Sequence, residues 1–339
     1  MFATLGLRFL ASISALATTL WPIAAHAQAD AEFYKGKTVR IIVSTTAGGG
    51  YDLRARSVQR HLSHHLPGNP NVVVENMPGG GSVVAMNYVY NVAPRDGTVM
   101  LVFQRTTLTT PIFAPNGVRF DLMKFNWIGS VGKDPGLVVS WHESPIKTSE
   151  DLFRKEMIIA TTAQTTMPSV LNALIGTKFK IITGYPGSPE MLLAMQRGEV
   201  MGPGEWSWSD LRNSILYKEK KVNLLLQTNL SRTPELPNVP LATDFARNEQ
   251  DRKILEVFLA PRDIAYPVVM PPEVPEARVK LMREAFLAVG KDPGFLEDVK
   301  KSGVEVAMQP ASEVLALVSN IASLPADLSQ RVRELMGAQ

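Results

Sequence analysis

The sequence predicts an α/β fold in two domains, each a mainly parallel sheet flanked by helices. Three observations carry that expectation. Short apolar runs alternate with helical patterns at the pitch of βαβ units. Two Gly-rich strand-to-helix turns fall early in the chain, at 47–50 and 79–81. The chain has 339 residues, 45% of them hydrophobic, which suits two cores and excludes disorder.

Residues 1–27 carry the three parts of a secretory signal: Arg8, the apolar run Phe9–Leu20, and Ala25-His26-Ala27 as an A-x-A cleavage site. The apolar run is short for a bilayer span, which takes about 20 residues, and Pro22 interrupts it. The mature chain is therefore expected to start near Gln28 and to be exported as a soluble protein. Val39–Val43 reads as the first strand and Leu53–Leu66 as the helix after it. Asn71–Asn76 is a second strand, which ends in the Pro78-Gly79-Gly80-Gly81-Ser82 turn and feeds the helix Val83–Asn91. Asp96-Gly97 marks a turn into a third strand, Thr98–Phe103.

A second α/β unit follows. Its expected strands are Leu137–Ser140, Met157–Ala160, Phe179–Ile182 and Val222–Leu226, and its helices are Pro168–Ile175 and Pro189–Arg197. Ser231–Pro240 holds three prolines and reads as a rigid loop. The tail reads as helices over Arg278–Val289, Pro293–Lys301 and Ala311–Leu324.

Composition excludes several chemistries. Cysteine is absent, so disulfides, thiolate metal sites and Cys nucleophiles are ruled out. Lys and Arg number 35 against 32 Asp and Glu, a mild excess spread along the chain without the basic stripe of a nucleic-acid binder. Gly50 is followed by Tyr51-Asp52 and not by Lys-Ser/Thr, so the first turn is not an ATPase phosphate loop. Consecutive glycines at 48, 49 and 50 do not give the dinucleotide fingerprint, and no G-x-S-x-G elbow is present. No cofactor and no enzymatic activity are expected. His61, His64 and His65 share one helix, and the 61/65 spacing can hold a metal. With no facing ligand identifiable, they read as a solvent-exposed face and no metal is expected.

What remains is capture of a small anion. The Gly-rich turns bring bare N–H groups near a ligand, and the helices behind them add the positive ends of their dipoles. Gly49, Gly50, Gly80, Gly81 and Ser82 are the candidate cradle. Asp52 caps or organises the loop and would repel a carboxylate at direct contact, while Tyr51 either packs or faces the cleft. Arg105, with Gln104 and Thr106 beside it, follows the third strand and could grip a carboxylate in bidentate fashion. Gln164 and Thr165 lie in the polar stretch 161–166 that would form the facing jaw. Tyr185, Gly187 and Ser188 form another strand-to-helix turn. Glu205 and Trp206 are either ordinary core and surface residues, or an acid and an indole lining a ligand chamber.

The order and spacing of several motifs resemble the periplasmic solute-binding proteins of tripartite tricarboxylate transporters, the Bug receptors. They are Ala47-Gly48-Gly49-Gly50-Tyr51-Asp52, Val73–Gly81, Ala93-Pro94-Arg95-Asp96-Gly97, Tyr185-Pro186-Gly187-Ser188, Gln196–Val200 and Arg232–Pro240. The resemblance implies a Venus flytrap, with residues 28–133 and 258–339 forming the first domain and 134–257 the closing lobe. It implies a ligand carboxylate pinched by the first domain's turns, through backbone N–H groups and ordered water. The expected partners are a small dicarboxylate, hydroxycarboxylate or aromatic carboxylate and a membrane permease. A sensor protein as partner, or a secreted enzyme, are the alternatives. Nothing demands an oligomer or a nucleic acid. Ser44 and Thr46 stand where that family often has prolines, and their hydroxyls add candidate donors to the anion.

Overall fold

The computed structural model describes residues 32–113, 115–161, 166–185, 188–302 and 306–337. The signal-like segment 1–27 lies outside them. Among the described residues no helix is long and apolar enough to cross a membrane.

In chain order the strands are β1 (Thr38–Val43), β2 (Asn71–Asn76), β3 (Val99–Val102), β4 (Asn126–Ser130), β5 (Gly136–Trp141) and β6 (Met157–Ala160). They continue with β7 (Phe179–Ile182), β8 (Gly202–Pro203), β9 (Trp206–Ser207), β10 (Val222–Gln227), β11 (Pro267–Met270) and β12 (Gln309–Pro310). One six-stranded sheet has the order β12-β4-β11-β3-β1-β2. β1 pairs in parallel with β2 and β3, but β11 is antiparallel to both β3 and β4, and β12 is antiparallel to β4. The sheet is thus mixed where the sequence suggested a mainly parallel one. The reason is the chain path: β4 leaves toward the second lobe and β11 returns from it, so neighbours run in opposite directions.

Alternation along the strands covers both faces of this sheet. Val39, Ile41, Val43, Met100 and Val102 enter one core with the helices Gly50–His65, Glu276–Val289 and Pro293–Ser302. Ile42, Val99, Leu101 and Phe103 enter the other, with Val83–Asn91 and Ala311–Ala322. Each fully buried side chain of this size contributes about 1.5–3 kcal/mol.

The second lobe joins two three-stranded sheets, β10-β5-β9 antiparallel and β7-β6-β8 parallel. The Trp141 N–H donates to the Met201 carbonyl at 2.7 Å and ties them together. The helices Thr166–Ile175 and Ser188–Gln196 follow β6 and β7, close to the expected bounds. Two connecting segments run side by side between the lobes. The Val131 N–H donates to the Tyr266 carbonyl at 3.0 Å, Ala265 to Gly132 at 3.1 Å, and Asp134 to Arg262 at 3.0 Å. The helix Glu249–Asp263 leads into the second segment and passes through position 258, where the sequence suggested the return to the first domain.

The histidine reading is corrected by helix packing. The Gly50–His65 helix lies against the Pro293–Ser302 helix, so His61 and His65 face acids. His61 Nε2 is 2.9 Å from Asp298 Oδ2, and His65 Nε2 is 2.9 Å from Asp292 Oδ2. Only His64 of the three is exposed. No metal-holding group of His, Asp and Glu occurs among the described residues.

Candidate functional site

The first Gly-rich loop is fastened from below by one buried acid. Asp52 lies in the first turn of its helix, whose N-cap is Gly49. Its carboxylate accepts from the Gly48 N–H at 2.8 Å, Arg56 Nε at 2.9 Å and Asn76 Nδ2 at 2.9 Å. Asn76, at the end of β2, also donates to the Thr45 carbonyl at 2.9 Å. Burial by itself would raise the Asp52 carboxyl; the Arg56, Gly48 and Asn76 donors outweigh it and hold it below its ordinary range. Asp52 is therefore a loop organiser and is unavailable to a ligand.

The second turn is more strained. Gly80, Gly81 and Ser82 all have left-handed backbone, with φ of 53°, 59° and 83°. Glycine takes this conformation freely, but Ser82 does not, and its neighbours over-determine it. Ser82 Oγ lies 2.6 Å from Ser44 Oγ and accepts from the Gln104 N–H at 3.1 Å. Thr107 Oγ1 donates to the Gly81 carbonyl at 2.8 Å. The Ser44 hydroxyl is thus spent inside the fold and does not serve as an anion donor.

Between the lobes lies a cavity of about 620 Å³, within the size range of small-molecule sites. Of the residues singled out by the sequence, Gly80, Gly81, Gln104, Arg105, Thr106 and Glu205 line it. Thr109 and Thr110 extend the same side, and Phe258, Pro261 and Arg262 come from the helix Glu249–Asp263. Ala160, Thr161, Thr166, Met167, Pro168, Met191 and Gly204 form the opposite wall. The expected facing jaw therefore contributes its two ends, Thr161 and Thr166; Gln164 and Thr165, like Gly187, lie outside the described residues.

Other expected contacts are elsewhere. Thr46, Gly49 and Gly50 are exposed and do not line this cavity. Tyr51 sits one layer back, where its hydroxyl accepts from the Arg105 N–H at 3.0 Å. Tyr185 packs against the second lobe's core, and Ser188 begins the Ser188–Gln196 helix. Trp206 is 7% exposed and belongs to that same core, with Trp208. Among the described residues no indole reaches the cavity lining: Trp206 in β9 and Trp208 at the start of the next helix both pack into the second lobe's core.

At the cavity floor four charged side chains from four separate segments interlock. Arg105 Nη1 lies 2.9 Å from Asp134 Oδ2, and Arg262 Nη1 lies 3.5 Å from the same oxygen. Arg262 Nη2 also pairs with Glu205, whose other oxygen accepts from the Thr228 hydroxyl. Asp134 further accepts from Ser207 Oγ, and from Ser209 Oγ at 3.1 Å. Burial would raise the Asp134 carboxyl, but Arg105 and Arg262 together hold it below its usual value. Burial and the like charge of Arg105 pull the Arg262 guanidinium down to about 9. Gly136 is required here: a Cβ on it would collide with Thr228 Oγ1 and the Glu205 carboxylate.

Asp134 and Arg262 escaped sequence reasoning. The available signal was the pair Arg262-Asp263, set between the apolar runs Val257–Ala260 and Ile264–Tyr266. Charges so embedded need buried partners.

The chain is similar to several known proteins. A UPF0065 protein in the gbd 5′ region of Cupriavidus necator is 27% identical over 311 residues, 87% of each chain. Among solved structures, a TctC solute-binding protein from Polaromonas superposes with a TM-score of 0.68 at 17% identity, over 90% of this chain and 100% of that one. The periplasmic binding protein BugD gives 0.61 at 21%, over 89% and 99%. MatC from Rhodopseudomonas palustris, with bound malate, gives 0.56 at 20%, over 88% and 98%. These likenesses establish the two-lobed solute-binding fold. The family model described as tripartite tricarboxylate transporter family receptor matches residues 54–324, most of the chain. The chain therefore belongs to the tripartite tricarboxylate transporter receptor family, whose members are solute-binding receptors and not enzymes.

Proposed function

We propose that this receptor captures a small organic carboxylate in the periplasm by hinge closure and delivers it to a tripartite tricarboxylate-type permease. The observation that carries the reading is the cavity between the lobes. One side presents the left-handed Gly80-Gly81 turn with Gln104, Arg105 and Thr106, and the other presents Thr161 just past β6 and Thr166 at the start of a helix. N–H-rich turns and helix starts suit an anion, and a ligand touching both sides favours the closed state. The malate bound by MatC supports the same class.

In this reading residues 28–133 and 258–339 form the anchoring lobe, residues 134–257 the closing lobe, and the paired segments around 131–134 and 262–266 the hinge. The leader 1–27 is removed on export. Binding involves Gly80, Gly81, Gln104, Arg105 and Thr106 directly, while Tyr51 and Ser82 hold Arg105 and Gln104 in place and Asp52 organises the neighbouring loop.

Mass spectrometry of small molecules released from the protein purified from its native periplasm, followed by thermal-shift titration, tests the proposal. A co-purifying carboxylate that raises the melting temperature with concentration is the expected result. Stabilisation by neutral or cationic compounds alone would refute it. Delivery is checked separately, as loss of ligand uptake when the permease is deleted.

A further inference from the structure

The charges around the cavity are matched before any ligand arrives. Its two lining guanidiniums, Arg105 and Arg262, contact Asp134 and Glu205. Both Glu205 oxygens are engaged, one by Arg262 and one by Thr228, so an ammonium group has no carboxylate waiting for it.

The wall opposite the Gly80-Gly81 turn is of a different character. Ala160, Met167, Pro168 and Met191 line it, and Phe258 and Pro261 continue it from the helix Glu249–Asp263. Its polar groups, Thr161 and Thr166, are uncharged, and the one full charge that the second lobe contributes to the lining is the negative Glu205. The two stretches of this lobe outside the described residues, 162–165 and 186–187, contain no Lys or Arg in the sequence. Among the described residues the one cation near this wall, Arg262 beside Pro261, is already held by Glu205 and Asp134. A second carboxylate reaching the wall would therefore be stripped of water without a free cation to meet it, and would face Glu205. An alkyl or aryl body would instead lie against two thioethers and a phenyl ring. Methionines adapt to either shape.

We propose that the cavity selects a monocarboxylate with an apolar body, a short fatty or aryl-aliphatic acid, over di- and tricarboxylates. This rests on the reading of the cavity as a carboxylate site.

Calorimetric titration of the purified protein with hexanoate, phenylacetate, adipate, malate and hexanamide tests the inference. Hexanoate or phenylacetate is expected to bind on the order of tenfold or more tightly than either diacid, and hexanamide far more weakly than hexanoate. In the isosteric variant Glu205→Gln, which lifts the negative charge and loosens Arg262, the preference should narrow because adipate gains affinity. Adipate or malate binding as tightly as hexanoate to the unaltered protein would overturn the selectivity and leave the carboxylate site standing. Hexanamide matching hexanoate, or no probe binding, would instead overturn the carboxylate reading itself.

Discussion

Asp52 is 1% exposed, and both of its oxygens are occupied by donors from the loop, its own helix and β2. Replacing it with Ala leaves the Gly48 N–H and the Asn76 amide without their acceptor. The expected cost is about 1–3 kcal/mol, read as a lower midpoint in urea denaturation. Because its carboxyl is held below the unfolded value, the contribution is present above the ordinary carboxylate range and is lost as pH falls through the folded value. Arg105→Ala should weaken carboxylate binding by more than about tenfold if the guanidinium meets the ligand, and unchanged affinity by calorimetry would remove it from the site. Asp52 was legible as an organiser because an acid in a first helical turn has a defined job. Trp206 was not placed by sequence, since an indole is equally at home in a core or a chamber, and only the direction of β9 decides. Arg262 was hidden because its partners, Asp134 and Glu205, lie more than fifty residues away along the chain.

At the scale of elements, the strands with uninterrupted apolar runs were read within a residue or two. β4 (NWIGS) and β11 (PVVM) were missed: one has an apolar run of only two residues before Gly and Ser, the other is a four-residue strand that opens on a proline. The helix Glu249–Asp263 was missed as well, since Pro261 reads as a breaker although it sits in the last turn. That omission cost the site three lining residues. The contact between the helices Gly50–His65 and Pro293–Ser302 carries its own prediction. Hydrogen bonding to His65 holds Asp292 below its ordinary pKa, as bonding to His61 holds Asp298. This stabilisation is present above the unfolded carboxylate value and fades as pH drops through the lowered ones. Amide exchange in Pro293–Ser302 should therefore quicken in acid before that of β1 does. Asp292→Asn with Asp298→Asn should flatten that dependence.

The whole molecule reads as two lobes joined by the paired segments 131–134 and 262–266, the proposed hinge. Ligand bridging them should shrink the radius of gyration in small-angle scattering, and an unchanged radius at saturation would argue against closure. Gly136→Ala, which displaces Glu205 and Thr228 beside the charged quartet, should lower both affinity and melting temperature. The sequence made the two lobes visible because each repeats strand, turn and helix. It left the cleft's interior dark, because that interior is assembled from segments that meet only after folding. The interlocked quartet of Arg105, Asp134, Arg262 and Glu205 has a consequence for the receptor's surroundings. Two positive and two negative side chains cancel within a few ångströms, so the quartet carries little net charge to gather counter-ions that a ligand must displace. Buried pairs are also poorly screened, so raising NaCl from roughly 0.05 to 0.5 M should change the ligand dissociation constant by less than about twofold. A receptor outside the inner membrane would then keep its grip as the salinity around the cell rises and falls.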